Sequence, residues 1–429
     1  MSTKPKFLIY YDWHLDIRAG GPPGYLANLR YGLDRVDNPD GFTIELWARK
    51  KPQETLKKQS FLKKIAENHS LLRYLYANYF SKSKKKYYKN CIRHLENIGN
   101  VYMQGEVLQK VKNEDIKFIH THSVIDALKV INTLKRENLT GDVKVLCTSH
   151  MPEAPHIENY NLMLEMGYSV EKCVRYKKMW EHIEKRAFTE SDLLIFPSHE
   201  AMEPYLETLP EFSQWIDGKD IRFVPTGAKH LETDLSKEQA RAKFGVNKKH
   251  IISYIGRHIK IKGYDILKEA ALEILNQRDD VMFLIGGRES NEVKTPKHKN
   301  WKELGWVNPA EVLKASDAFI LPNQRTYFDL ILLEVLSTGT PVIASNTGGN
   351  KSVQKQTGVL NLYDGTKEDL TAKINNFLDS PAAEKEQSRQ NLLAAYKKHY
   401  TPEVFAQNYI EMVKQILNDY KSTTGENSI

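Results

Sequence analysis

The stretch Pro322–Asn350, PNQRTYFDLILLEVLSTGTPVIASNTGGN, decides how the rest of the chain is read. A short polar loop runs into an apolar helix. Leu330, Leu333, Glu334, Leu336 and Ser337 fall at helical spacing, and Gly339 stops it. The run Thr340-Pro341-Val342-Ile343-Ala344 then predicts a buried strand, followed by a second glycine turn at Gly348-Gly349. A loop that delivers a helix N-terminus at the end of a strand makes an anion site, because free backbone N–H groups and the helix dipole both face the ligand. The same pattern also fits one more βα unit of a parallel sheet with no site at all.

Upstream, Ile251-Ile252-Ser253-Tyr254-Ile255 predicts a buried strand that ends in Gly256-Arg257. Lys260, Lys262 and Gly263 follow before a helix starting near Tyr264. Arg257 and Lys262 thus sit on a strand-to-helix loop, where a guanidinium fork and an ammonium point charge suit a diphosphate. With these residues in place, the sequence resembles the retaining glycosyltransferases of family 4, which have the two-domain GT-B architecture. The resemblance rests on Gly256-Arg257, Lys262-Gly263, the helix carrying Glu334, Gly339-Thr340-Pro341-Val342-Ile343-Ala344-Ser345 and Gly348-Gly349, in that order. It covers the C-terminal half almost end to end. One departure stands out: the family's E-x-F-G is replaced by Thr326-Tyr327-Phe328-Asp329, so Thr326 occupies the place of the first glutamate and Asp329 offers a carboxylate nearby. The resemblance implies that Glu334 holds the ribose hydroxyls of a donor nucleotide. It also implies a donor-binding set of Gly20, Gly21, Gly256, Arg257, Lys262, Thr326, Tyr327, Phe328, Asp329, Leu330 and Glu334.

At 429 residues the chain suits two domains of about 200 each. A hydrophobic content of 41% supplies substantial cores, and 27% charged residues is ordinary for a soluble protein. Cys91, Cys147 and Cys173 match neither a disulfide framework nor a zinc spacing, which fits a reducing cytoplasm. The N-terminus lacks a signal-type apolar region, and no window of about 18 apolar residues predicts a membrane span. The net charge is +8, and residues 51–100 hold twelve Lys or Arg against three Glu. In that basic stretch Arg73, Tyr76, Lys84, Lys85, Lys86 and Tyr87 interleave cations and rings, as on a surface that rests on an anionic bilayer. A solvated charged face with its rings turned inward fits the same residues, as does nucleic-acid binding, which is the weakest of the three and is not expected.

The N-terminal half opens with a strand at Lys6–Tyr11, a long loop from Asp12 to Pro23 with Gly20-Gly21, and a helix with Leu26, Leu29 and Leu33 on one face. The loop is neither G-x-G-x-x-G nor a P-loop, so a dinucleotide or ATP site is not expected. Two further strands end in His122 and His150, where open α/β sheets place ligands. The resemblance assigns both to the acceptor side and puts His150 beside the donor sugar. Met151–Tyr160 reads as an irregular loop over the cleft. The expected fold is α/β, two Rossmann-like doubly wound domains facing a cleft. The domains are an acceptor-binding domain at 1–224, a nucleotide-sugar-binding domain at 225–400, a helix crossing back at 401–421, and a disordered tail at 422–429.

The expected function is a retaining, metal-independent hexosyltransferase that uses a nucleotide-diphosphate sugar, UDP-linked in preference to GDP-linked, with no further cofactor. His150, Arg257 and Lys262 are the candidate catalytic residues. The expected acceptor is lipid-linked or polysaccharide, in bacterial cell-surface glycan synthesis, with the protein cytoplasmic and peripheral at the inner face of the membrane. A transferase acting on a protein or soluble sugar, or a non-catalytic GT-B partner subunit, remains open. So does the oligomeric state.

Overall fold

The computed structural model describes residues 5–15, 21–38, 41–50, 86–290 and 292–424. Gly20, Arg73, Tyr76, Lys84, Lys85 and most of the basic stretch lie outside the described residues. The chain builds two six-stranded, all-parallel sheets. The first contains β1 (Lys6–Tyr11), β2 (Thr43–Ala48), β3 (Ile116–Thr121), β4 (Lys144–Cys147), β5 (Leu193–Phe196) and β6 (Asp220–Phe223), in the order β2-β1-β3-β4-β5-β6. The second contains β7 (His250–Ile255), β8 (Val281–Gly286), β9 (Trp301–Gly305), β10 (Ala318–Leu321), β11 (Val342–Ser345) and β12 (Asn361–Tyr363), in the order β9-β8-β7-β10-β11-β12. Inner strands such as β8 and β10 are buried along their whole length, because helices cover both faces of each sheet.

Both orders reverse once, β1 to β3 in the first sheet and β7 to β10 in the second. At such a switch point the two adjoining loops leave in opposite directions and open a crevice at the C-terminal strand ends. The helices that frame these crevices are α1 (Gly21–Leu33), α2 (Val124–Arg136), α3 (Pro155–Glu165), α4 (Val170–Glu190), α5 (Tyr264–Gln277), α6 (Leu330–Thr338), α7 (Gly348–Thr357) and α8 (Pro402–Thr424). This is the doubly wound, two-sheet architecture expected from the sequence.

Helix α8 is the last element of the chain, yet it completes the first domain. Phe405, Tyr409, Val413 and Ile416 share one core with Phe7 and Ile9 of β1 and Leu26 and Leu29 of α1. Each such side chain contributes about 1.5–3 kcal/mol by leaving water. The helix runs three residues into the expected tail, and 425–429 lie outside the described residues.

Two local expectations are corrected. Only the first part of Met151–Tyr160 is irregular, because Pro155 opens α3: proline fixes the backbone angle a first helical residue needs and gives up an N–H that would have no partner. Gly348 and Gly349 are the first residues of α7, not a free-standing turn. Among the described residues no helix is long and apolar enough to cross a membrane.

Candidate active site

The C-terminal ends of the two sheets face each other across a cleft of ≈ 640 Å³. Gly21, Tyr25 and His150 reach it from the first domain, and Gly256, Arg257, Lys262, Tyr327, Phe328, Asp329 and Leu330 from the second. The second-domain residues come from the loops after β7 and β10, the two sides of the switch point.

These two loops are pressed together. Gly263 has φ +64°, and a Cβ there would fall 1.7 Å from the carbonyl oxygen of Pro322. Only glycine permits both the left-handed turn and that approach. The turn brings Lys262 Nζ to 3.0 Å from each carboxylate oxygen of Asp329. The Asn323 side-chain amide donates to the same carboxylate. Asp329 occupies the N-cap of α6, but its side chain caps no helical N–H. The first N–H groups of α6 therefore stand without a side-chain partner at a helix end, where an anion is favoured.

Arg257 reaches across the cleft, with Nη2 3.6 Å from Glu158 Oε1 on α3. Arg288, at the end of β8, also lines the cleft and makes no side-chain hydrogen bond or ion pair among the described residues. The sequence reading passed over Arg288, although it carries the same signal as Arg257: a cation just past a buried, glycine-ended strand. Tyr25 was missed too, because a tyrosine on a helix face reads as core. Trp306, 86% exposed, stands at the rim of the cleft.

Glu334 lies one turn along α6 from Leu330. Its carboxyl is partly buried with no hydrogen-bond partner among the described residues, and burial pushes it up to about 7. Leu330 lines the cleft, but Glu334, expected in the donor-binding set, is not among the residues of its wall. Thr326 lies deeper. It is fully buried, its hydroxyl has no partner, and it is absent from the cleft wall. Its carbonyl oxygen lies against Gly348, so the backbone there is wedged inside the domain.

The histidines form a stack behind the first-domain wall. His150 lines the cleft, 4.6 Å from the Tyr25 ring centroid and 5.9 Å from that of Tyr327. His122 does not reach the cleft. It is wholly buried behind His150, with Nδ1 2.9 Å from His150 Nε2. Behind it, His120 bridges Tyr409 on α8 (2.6 Å) and Thr148 (2.8 Å). The Thr148 hydroxyl donates to the Ile195 carbonyl, so the network assigns the His120 proton to Nε2 and leaves Nδ1 to accept from Tyr409. Burial pushes His120 and His150 down to about 3, and His122 well below its ordinary value. His150 thus presents a neutral imidazole.

The domains are clasped beside the cleft. Glu203 accepts from the Gly348 N–H at the start of α7 and pairs with Lys351 at 2.9 Å, while Arg325 reaches Glu153 and Glu207 at 3.2 and 3.1 Å. Lys86 and Tyr87 are exposed on a helix over 86–96 that packs beside α4 through Tyr88, whose hydroxyl donates to the Lys172 carbonyl. Among the described residues, no group of three or more His, Cys, Asp or Glu is placed to hold a metal ion.

Residues 249–380 match the family model Glycosyl transferases group 1. The chain is 27% identical over 149 residues to a D-inositol 3-phosphate glycosyltransferase of Segniliparus rotundus, covering 31% of this chain and 33% of that one. It is 29% identical over 181 residues to the UDP-Gal:alpha-D-GlcNAc-diphosphoundecaprenol alpha-1,3-galactosyltransferase of Escherichia coli, covering 39% and 45%. The chain therefore spans about a third and under half of the length of these two curated relatives. Among solved structures, the sucrose-phosphate synthase of Thermosynechococcus elongatus superposes with a TM-score of 0.59 at 16% identity, over 97% of this chain and 100% of that one. At that identity the likeness concerns the fold alone, and it extends over both domains. Residues 249–380 thus resemble the glycosyl transferases group 1 family, within a chain that has the two-domain GT-B fold.

Proposed function

We propose that the chain is a hexosyltransferase that moves a sugar from a nucleotide-diphosphate donor, UDP-linked in preference to GDP-linked, to a lipid-linked or polysaccharide acceptor in bacterial cell-surface glycan synthesis. The observation that carries this reading is the pairing across one cleft of Arg257, Lys262 and the uncapped start of α6 with the neutral His150. The first group suits a diphosphate. The second suits sugar hydroxyls, to which a neutral imidazole both donates and accepts.

In this mechanism the diphosphate leaves with its charge met by Arg257, Lys262 and the helix N–H groups, fixed in place before the bond breaks. No metal is needed for that step. The acceptor hydroxyl attacks the same face of the sugar, and a phosphate oxygen takes its proton, so the configuration is retained. Glu334 accepts from the ribose hydroxyls. Closure of the two domains excludes water. A non-catalytic subunit would have no need of Arg257 and Lys262 in the cleft wall, and both are there.

The lipid-linked acceptor is supported by the name of the E. coli relative, whose substrate is a diphosphoundecaprenol-linked sugar. The exposed Lys86 and Tyr87 support peripheral contact with an anionic membrane at its cytoplasmic face. Flotation with anionic vesicles, lost at high salt, tests that contact and separates it from a soluble acceptor.

The donor site is tested by thermal shift with UDP, GDP, ADP and their sugar conjugates. A ligand at about a hundred times its Kd adds about 2.7 kcal/mol. One nucleotide is expected to raise the melt, and Arg257→Ala and Lys262→Ala to abolish the rise. No response at millimolar ligand would favour a non-catalytic partner subunit.

A further inference from the structure

We propose that Asp329 is a specificity-determining carboxylate of the donor site, a displaceable counter-ion of Lys262 that restricts the transferred sugar to uncharged hexoses. This rests on the nucleotide-sugar reading above.

The geometry around Asp329 is unusual for its position. An N-cap aspartate ordinarily turns back to accept from an N–H two or three residues on. Asp329 caps nothing, and instead gives both oxygens to Lys262 at 3.0 Å and accepts from the Asn323 amide. The Asn323 Oδ1 is itself buried without a partner. The carboxylate is therefore held off its helix and turned onto the lysine, in the wall of the cleft.

This makes Lys262 unlike the other two cations of the site. Arg288 is unpaired among the described residues, and Arg257 has only a loose partner at 3.6 Å, whereas the charge of Lys262 is already matched at contact distance. An arriving diphosphate competes with Asp329 for one ammonium. Two anions sharing that ammonium repel each other, so the carboxylate must yield.

Once displaced, Asp329 is tethered at the start of α6 and stays next to the diphosphate, where the attached sugar sits. A sugar hydroxyl can donate to it. The carboxylate of a uronic acid cannot, and adds a third negative charge. Thr326 offers no substitute for this role, because its side chain is sealed inside the domain.

The test is calorimetric binding of UDP, UDP-glucose and UDP-glucuronate, with GDP and GDP-mannose in parallel, to the full chain and to Asp329→Asn. The asparagine variant is expected to bind the nucleoside diphosphate at least tenfold tighter. The preference for the neutral hexose donor over the uronate is expected to fall at least tenfold. Asp329→Ser, which keeps a capping side chain without the charge, is expected to do the same and covers a failure of the first variant to fold. Diphosphate affinity that is unchanged or weaker in both variants, with the sugar preference intact, overturns this proposal and leaves the donor site standing. A wild-type chain that binds neither UDP nor GDP overturns both.

Discussion

His122 Nδ1 lies 2.9 Å from His150 Nε2, and the two rings stack with centroids 5.2 Å apart, 4.1 Å beyond which stands the ring of His120. A proton on any of these three stacked imidazoles, two of them wholly buried, would place a charge beside its neighbours in a largely water-free column. The column ends at the cleft in His150. This explains why a histidine at a strand end, ordinarily a group that titrates near neutrality, is here a fixed polar contact.

Acid sensitivity follows. His120 and His150 are held down to about 3, against about 6.5 in the unfolded chain. Between those values the unfolded state binds more protons, so stability rises with pH up to about 6.5 and then levels off. At pH 5.5 each of these histidines costs about 1.4 kcal/mol relative to pH 7.5. Urea midpoints at the two pH values check this. A ring-proton NMR signal of either residue titrating between pH 6 and 7 contradicts it.

Glu334 acts with the opposite sign. Its carboxyl is pushed up to about 7 from 4.5, so between these values the folded state binds more protons and stability falls as pH rises. Glu334→Gln removes that slope. The stability at pH 8 relative to pH 5 should therefore rise by about 2 kcal/mol over wild type, so that the two melts move further apart as the histidine slope goes unopposed. The same variant is expected to lose about tenfold in nucleotide affinity, about 1.4 kcal/mol, on losing its charge-assisted hydrogen bonds to ribose.

Glu203 joins the domains through the Gly348 N–H and Lys351, but Lys351 is 37% exposed. Such a pair contributes at most about 1 kcal/mol to folding. Glu203→Ala should therefore leave the melting temperature almost unchanged while small-angle scattering shows a larger mean radius, as the clasp loosens. A large loss of stability would mean that Glu203 supports the fold and not the closure.

Gly263 and Gly358 share a left-handed backbone, at φ +64° and +70°, but only Gly263 has a neighbour in the way. Gly358→Ala should cost about 1 kcal/mol for the backbone conformation alone. Gly263→Ala also drives a Cβ into the Pro322 carbonyl and should cost at least about 3 kcal/mol. Denaturant titration compares the two directly. Equal costs would show that the contact with Pro322 relaxes freely.

Strands β1, β3, β4, β7 and β11 were legible because parallel, doubly covered strands need largely apolar runs. Arg257 and Lys262 were legible as cleft residues because strand ends of an open sheet meet at its crevice, whereas Phe328 and Asp329 came from the resemblance. His122 was chosen on its strand-end position and Thr326 on the resemblance, yet both are buried. One residue of register separates a side chain that enters a cleft from one that enters a core, and no spacing rule resolves that.

The sequence by itself determined two covered parallel sheets, the glycine-bounded loops at their ends and the placement of cations on those loops. These follow from local periodicity and backbone freedom, which act over a few residues. Tertiary structure alone decided what those loops face. Asp329 meets Lys262 across 67 positions of sequence, Arg257 faces Glu158 from the other domain, and α8 returns to finish the first core. Each of these depends on how two sheets pack and turn toward one another, and the energy that selects that packing comes from burial summed over whole faces, not from any one motif.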